Sequence, residues 1–235
     1  MKPNKLLRLH PAWLALMAAG VVLALAFVPV LWQVLTAPPP APQAAAQQGL
    51  PWVIDAQPGG GTRVFGLALP GATLADAQAA WGDELVLALM ASRDQPATLE
   101  AYVDSYRGGP VTGKLVLTAE AAPDTLARWR DSATKEEPVS ADTRRITLRA
   151  EDRADALRSP LVGIGFIPAA QLDADTLRQR FGEPAQRVPG GGTVEHWLYP
   201  ERGLAIALDS KGRELLQYVA PADFERRLRA PLLKR

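Results

Sequence analysis

The segment DADTLRQRFGEP, residues 173–184, contains the strongest local structure signals in the chain. Asp173 is a residue type that caps helix N-termini, and eight residues that can form a helix follow it. Gly182 can adopt the left-handed backbone at which many helices end, and Pro184 cannot continue a helix. The segment therefore predicts a short helix that ends at Phe181 and is followed by a sharp corner.

Apolar and alternating segments on both sides of this helix predict an antiparallel sheet. The glycines at 190–192 and the pair Lys211-Gly212 are typical of turns between such strands. The predicted strands cover residues 161–167, 193–199, 203–209 and 214–219. A basic helix is expected over residues 223–233.

A similar order of signals occurs about 100 residues earlier. Thr73 caps the helix LADAQAAW, which Gly82 ends, and Leu69-Pro70 corresponds to Ile167-Pro168. The other predicted elements here are strands at 52–56, 63–69, 84–91, 97–106, 114–120 and 145–150, a helix at 123–133 and a loop at 134–142. The likeness indicates either an internal duplication or chance in an alanine-rich chain. We expect an α+β fold of two helix-plus-meander modules, residues 52–150 and 151–235.

The second half also resembles a known type of module. The residues that carry the resemblance are Asp173, Leu177, Phe181, Gly182, Pro184, Trp197, Tyr199, Gly203, Leu204, Ile206, Leu208, Asp209, Gly212 and Arg213. This pattern resembles the helix-plus-antiparallel-sheet module of the small outer-membrane-assembly lipoproteins and of the β-lactamase-inhibitor protein. The resemblance implies a binding or scaffold module without catalysis. Unlike the lipoproteins, this chain has no cysteine that could carry a lipid.

Residues 13–35 form an uncharged apolar stretch with the length of a membrane-spanning helix. Trp13 and Trp32 lie near its ends, where indole rings favour the bilayer interface, and Pro29 is compatible with a spanning helix. We expect a transmembrane helix over residues 12–35, ending at Leu35. A cleaved signal peptide is the alternative, although the stretch is longer than a typical signal-peptide core.

The charges around this stretch predict its orientation. Lys2, Lys5 and Arg8 precede it, and the next basic residue is Arg63. The positive-inside rule then places residues 1–11 in the cytoplasm and the C-terminal domain in the periplasm, with the protein held as a single-pass protein in the cell inner membrane. Residues 36–51 are rich in proline and alanine, which is typical of a semi-rigid linker.

Composition excludes several classes of function. The chain has no cysteine, which excludes thiol redox chemistry, thiolate zinc sites and iron–sulfur clusters. The formal net charge is +1, and because both termini are basic the middle of the chain is acidic. An acidic domain gives no reason to expect a nucleic-acid partner.

No residue cluster predicts catalysis, a metal or a cofactor. His196 lies beside Glu195, but neighbours in a strand point to opposite faces, so an exposed or half-buried structural histidine is the better interpretation. No G-x-S-x-G motif is present, and the glycine triplets at 59–61 and 190–192 lack the Lys-Ser/Thr of a phosphate loop. Trp81, Trp129, Phe181 and Trp197 are expected in the core. Trp197 and Tyr199 become candidate interface residues if their rings are exposed.

The sequence thus predicts a bitopic inner-membrane protein whose partners are the lipid bilayer and another envelope protein. In this interpretation the periplasmic domain binds or scaffolds that protein and performs no catalysis. An envelope hydrolase and a small-ligand sensor subunit of a membrane complex remain alternatives. The sequence does not indicate an oligomeric state.

Overall fold

A computed structural model describes residues 49–92 and 95–233. The strands are β1 (Asp55–Gln57), β2 (Gly61–Val64), β3 (Leu67–Leu69), β4 (Leu85–Ser92), β5 (Gln95–Gly108), β6 (Val111–Ala119), β7 (Lys135–Pro138), β8 (Thr143–Thr147), β9 (Leu161–Pro168), β10 (Gln186–Gly191), β11 (Val194–Tyr199), β12 (Leu204–Asp209) and β13 (Leu215–Tyr218). The α-helices are α1 (Leu74–Trp81), α2 (Pro123–Asp131), α3 (Ala150–Leu157), α4 (Ala174–Phe181) and α5 (Ala230–Leu232).

Ten strands form one antiparallel sheet, in the order β10-β11-β12-β13-β9-β6-β5-β4-β8-β7. The predicted architecture of two separate modules is therefore wrong, because β9 joins both meanders. Phe166 of β9 pairs with Leu115 of β6 on one side and with Leu216 of β13 on the other. β9 is almost entirely apolar, which is typical of a strand buried between neighbours. The strands β1–β3 form a separate small sheet.

The transmembrane part of the predicted fold class is also corrected. Within residues 49–92 and 95–233, no helix is both long and apolar enough to cross a bilayer. The predicted span over residues 12–35, with Trp13, Pro29, Trp32 and Leu35, lies outside the described residues. The same holds for the predicted tail and for most of the linker. The fold class is α+β, built on one large antiparallel sheet.

The two predicted helix caps that defined the repeat are confirmed. The Thr73 hydroxyl accepts from the backbone N–H of Asp76 at 3.3 Å, and the Asp173 carboxylate accepts from Thr176 at 2.7 Å. Both helices have eight residues and are followed by a glycine of positive φ, +56° at Gly82 and +77° at Gly182. Helix initiation and termination are therefore local properties of these sequences.

Several elements differ from the prediction. The predicted strand at 63–69 is broken into β2 and β3 by a turn in which Phe65 and Gly66 both have positive φ. Residues 135–138, predicted as loop, form the edge strand β7, which is held by salt bridges such as Arg145–Glu137 at 3.2 Å. The helix α3 and the strand β10 were not predicted. The basic C-terminal helix is a composite of 3₁₀, π and α turns over residues 221–232.

Hydrophobic cores lie on both faces of the ten-stranded sheet. The inner face is covered by helices α1–α4 and by the small sheet, which contribute fully or nearly fully buried side chains including Leu74, Trp129, Leu177 and Phe181. A smaller core lies on the outer face, beneath the C-terminal segment, residues 221–233. Its members are Val188, Leu198, Ala205, Val219, Phe224 and Leu228.

Candidate functional site

The outer face of the sheet presents one row of directly paired residues across seven strands. Directly paired residues in antiparallel strands share a face, so the register identifies the row. From β4 to β11 it consists of Val86, Tyr102, Val116, Gly165, Gln217, Ala205 and Leu198. This row divides into a covered and an uncovered half.

The C-terminal segment covers the half formed by β10–β13. Phe224 and Leu228 are buried there, at 2% and 8% exposure. Arg227 lies at the border of the two halves and forms a salt bridge of 3.3 Å with Glu120, just past the end of β6. The segment thus supplies the apolar contacts that this half of the outer face needs.

The half formed by β4–β6 carries no such cover among the described residues. Val86 is 47% exposed, and the only other large hydrophobic side chains exposed to that degree in the described part of the chain are Val139 and Leu233. Tyr102, half-buried, lies directly between Val86 and Val116. Eight outward residues of these strands form what we call the open patch: Val86, Ala88, Met90, Thr98, Glu100, Tyr102, Val116 and Thr118. Ala88 is buried among its neighbours, at 2% exposure.

A single carboxylate orders the polar side chains in the open patch. Glu100 accepts one hydrogen bond from the Thr98 hydroxyl at 2.9 Å and a short one from the Tyr102 hydroxyl, its neighbours two residues away along β5. Burial, followed by the hydrogen bond to Glu100, raises the pKa of Tyr102 well above its usual range. Tyr102 therefore stays neutral and its ring is held in one orientation.

A groove borders the open patch where β9 carries glycine at two successive outward positions. Gly163 and Gly165 have no side chains to fill the space between β6 and β13. The resulting β9 groove has a volume of about 360 Å³ and is lined by Val116, Leu215, Val219 and Leu228 among others. Together the open patch and the β9 groove form a continuous, mainly apolar surface.

The predicted interface residues Trp197 and Tyr199 lie in the core. They are 1% and 6% exposed, so their rings are not available at the surface of the folded domain. The guanidinium groups of Arg187 and Arg178 lie over the ring of Trp197, at 4.8 Å and 5.8 Å from its centroid. Its indole N–H donates to Glu195 at 2.5 Å. Both residues are therefore core residues and not interface residues. The sequence had already suggested a core position for Trp197.

Tyr199 stabilises the corner that follows α4. Its hydroxyl donates to the Gly182 carbonyl at 3.0 Å, while Arg202 donates to the Phe181 carbonyl at 3.0 Å. These bonds satisfy carbonyls that have no partner within the helix. Burial raises the pKa of Tyr199 to about 12. Phe181, Gly182 and Tyr199, which carry part of the resemblance described above, thus act in packing and in helix termination.

His196 is more buried than expected. It is 8% exposed and lies on the outer face, where it packs so closely on Gly190 that a Cβ there would be 2.6 Å from its Nε2. The prediction that Glu195 points away from His196 is confirmed, since Glu195 bonds Trp197 on the inner face. In the described part of the chain, no three His, Cys, Asp or Glu side chains are grouped so as to hold a metal ion.

Comparisons with known proteins identify no relative. No protein-family model matches the chain, and neither the curated proteins nor the solved structures gave a significant match. The function is therefore inferred from the surface of the domain. The sequence signal that could have identified this surface is Tyr102, a large aromatic residue among the polar positions of an alternating strand, Thr98, Glu100 and Asp104.

Proposed function

We propose that the described domain is a non-catalytic module that binds another protein of the cell envelope through the open patch and the β9 groove. The observation that carries the proposal is Tyr102. It is an aromatic side chain flanked by two valines on the half of the outer face that no described element covers, and Glu100 holds it in place.

The chemistry of the open patch favours a protein partner. Tyrosine combines a large apolar ring with a polar tip and is enriched among the residues that dominate binding energies. An ordered side chain loses less conformational entropy on binding, so the hydrogen bond from Tyr102 to Glu100 favours affinity. The neighbouring groove can receive an apolar side chain of the partner, because its floor is glycine.

A pair of valines provides a matched test of this proposal. A photo-crosslinking amino acid is introduced at Val86 in one variant of the full chain and at Val139 in another. The two positions are 47% and 56% exposed, and only Val86 lies in the open patch. We expect a discrete protein adduct from position 86 that is lost when Tyr102→Ala is added, and none from position 139.

Mass spectrometry of the adduct decides between the possible occupants. A different envelope protein, crosslinked through one surface, supports the proposal. An adduct with a second copy of this chain would replace it with self-association, and an adduct with lipid would replace it with a membrane-facing surface. Equal adducts from both positions would show that the open patch is not the binding surface.

The localisation stays part of the proposal. We infer from the apolar residues 13–35 and the basic residues before them that the domain is exported and held at the inner membrane. A phosphatase reporter that is active only in the periplasm, fused after Arg235, is expected to be active. Activity of a cytoplasmic reporter at the same position would contradict this orientation.

A further inference from the structure

A second cavity lies at one end of the sheet, at the tip of the β5–β6 hairpin, and three basic residues line it. The cavity has a volume of about 260 Å³, and its lining includes Arg107, Lys114 and Arg213 together with Asp104, Ser105 and Thr112. We call it the basic pocket. The basic pocket shares no residue with the open patch. It shares only Ile167 with the β9 groove.

Strands β5, β6 and β9 and the turn before β13 form this cavity. Arg107 pairs directly with Thr112 across the hairpin, and Lys114 follows two residues later on the same face of β6. The next strand, β9, continues into Ala169, whose N–H donates to the Thr112 carbonyl at 2.8 Å. Arg213 reaches the cavity from the turn before β13. The three basic residues thus come from β5, β6 and a turn, and the small residues Gly113 and Ala169 line the cavity beside them.

The charges in the basic pocket are not balanced. Its one lining carboxylate, Asp104, pairs with Lys114 at 3.0 Å, and both side chains are more than half exposed, so the pair contributes little. Among the residues that the structure describes, the guanidinium groups of Arg107 and Arg213 have no hydrogen-bonding or ion-pairing partner. Two guanidinium groups are therefore available to a ligand, with the hydroxyls of Ser105 and Thr112 beside them.

We propose that the basic pocket binds a phosphate group. The planar guanidinium donates two parallel hydrogen bonds to phosphate oxygens, which makes arginine the preferred residue for such sites. Lys114 adds a positive charge, and the hydroxyls can donate further hydrogen bonds. The phosphate can belong to a small soluble molecule or to a lipid headgroup.

The test is a calorimetric titration of the full chain with inorganic phosphate at low ionic strength. The variant Arg107→Gln/Arg213→Gln removes both available guanidinium groups. The control Arg128→Gln/Arg130→Gln removes two exposed positive charges from α2, which packs on the inner face. All four side chains are exposed, so urea midpoints close to that of the unchanged protein are expected for both variants.

We expect the pocket variant to weaken phosphate binding by about tenfold or more, as the loss of charge-assisted hydrogen bonds implies, and the control variant to bind nearly as well as the unchanged protein. Equal weakening in both variants, or in neither, would overturn the proposal. An adventitious, non-specific attraction of phosphate to basic side chains would give the first of these results.

A second arm distinguishes the two sources of phosphate. The full chain is reconstituted into vesicles of phosphatidylcholine alone or of phosphatidylcholine with phosphatidic acid, and inorganic phosphate is titrated into each. Loss of the Arg107- and Arg213-dependent binding when phosphatidic acid is present identifies the lipid headgroup as the occupant. Unchanged binding in both vesicles identifies a soluble phosphate.

Discussion

Two glycine-to-alanine substitutions are expected to change the stability of this protein in opposite directions. Gly182, after α4, has φ +77° and ψ −173°, a conformation that is essentially restricted to glycine. A Cβ at Gly182 would meet no atom within 4 Å. The cost of Gly182→Ala is therefore a backbone cost, which we expect to lower the free energy of unfolding by about 1–3 kcal/mol.

Gly165 provides the matched control. It lies in β9 outside the left-handed region, and a Cβ there would make ordinary contacts of 3.6 Å with Leu215 and Val116. Gly165→Ala restricts the unfolded chain without a clash in the folded one. We expect it to raise the free energy of unfolding by about 0.4–1 kcal/mol.

Urea denaturation of the full chain in a mild detergent measures both effects. With a slope of about 2 kcal/mol/M, the midpoint is expected to fall by about 0.5–1.5 M for Gly182→Ala and to rise by about 0.2–0.5 M for Gly165→Ala. A midpoint for Gly182→Ala equal to that of the unchanged protein would refute a backbone cost at this position. An equal loss of stability in the two variants would refute it as well.

Three further results are expected. Phe181→Ala removes a side chain that is 2% exposed and is expected to lower the free energy of unfolding by about 3–5 kcal/mol, whereas Gln179→Ala, exposed on the same helix, should change it by less than about 0.5 kcal/mol. Burial raises the pKa of Tyr106 and of Tyr199 to about 12. Since tyrosine in the unfolded chain ionises near pH 10, the native state binds more protons than the unfolded state between about pH 10 and 12. The free energy of unfolding should therefore fall as the pH rises through that window. In urea melts at successive pH values, Tyr199→Phe should make this fall shallower. His196→Gln should leave cellular function intact in the folded protein. Removal of a general base usually lowers a rate by about 10²–10⁴-fold, so a loss of function in the folded variant would favour the hydrolase alternative.

The local elements of the fold could be predicted because their signals are local. Thr73 and Asp173 bond the first turns of their own helices, and Gly82 and Gly182 end those helices with positive φ. The alternation in β5 and β6 was sufficient to predict both strands. By contrast, β7 has a charged sequence, and it pairs with β8 through cross-strand ion pairs that no pattern within the segment indicates.

The joining of the two meanders could not be predicted, because it depends on long-range pairing. The sequence of β9 indicates a buried strand, but not that β6 and β13 are both its neighbours. The burial of Trp197 and Tyr199 was similarly ambiguous, since aromatic residues in an alternating strand suit either a core or an interface. In the structure Arg178 and Phe181 of α4 pack against Trp197 and Tyr199, and both rings are buried. The open patch becomes visible only when the register brings Val86, Tyr102 and Val116 side by side.

The dissociation constant of the complex with the crosslinked partner, once purified, tests the binding surface most directly. Calorimetry compares the unchanged protein with Tyr102→Ala, with Gly165→Val, which fills the β9 groove, and with Val139→Lys as the control outside the surface. A central aromatic anchor predicts a loss of about 30-fold or more for Tyr102→Ala, equivalent to about 2 kcal/mol. A clear loss is also expected for Gly165→Val, and none for Val139→Lys. An affinity that Tyr102→Ala leaves unchanged, in a protein that remains folded, would contradict the account.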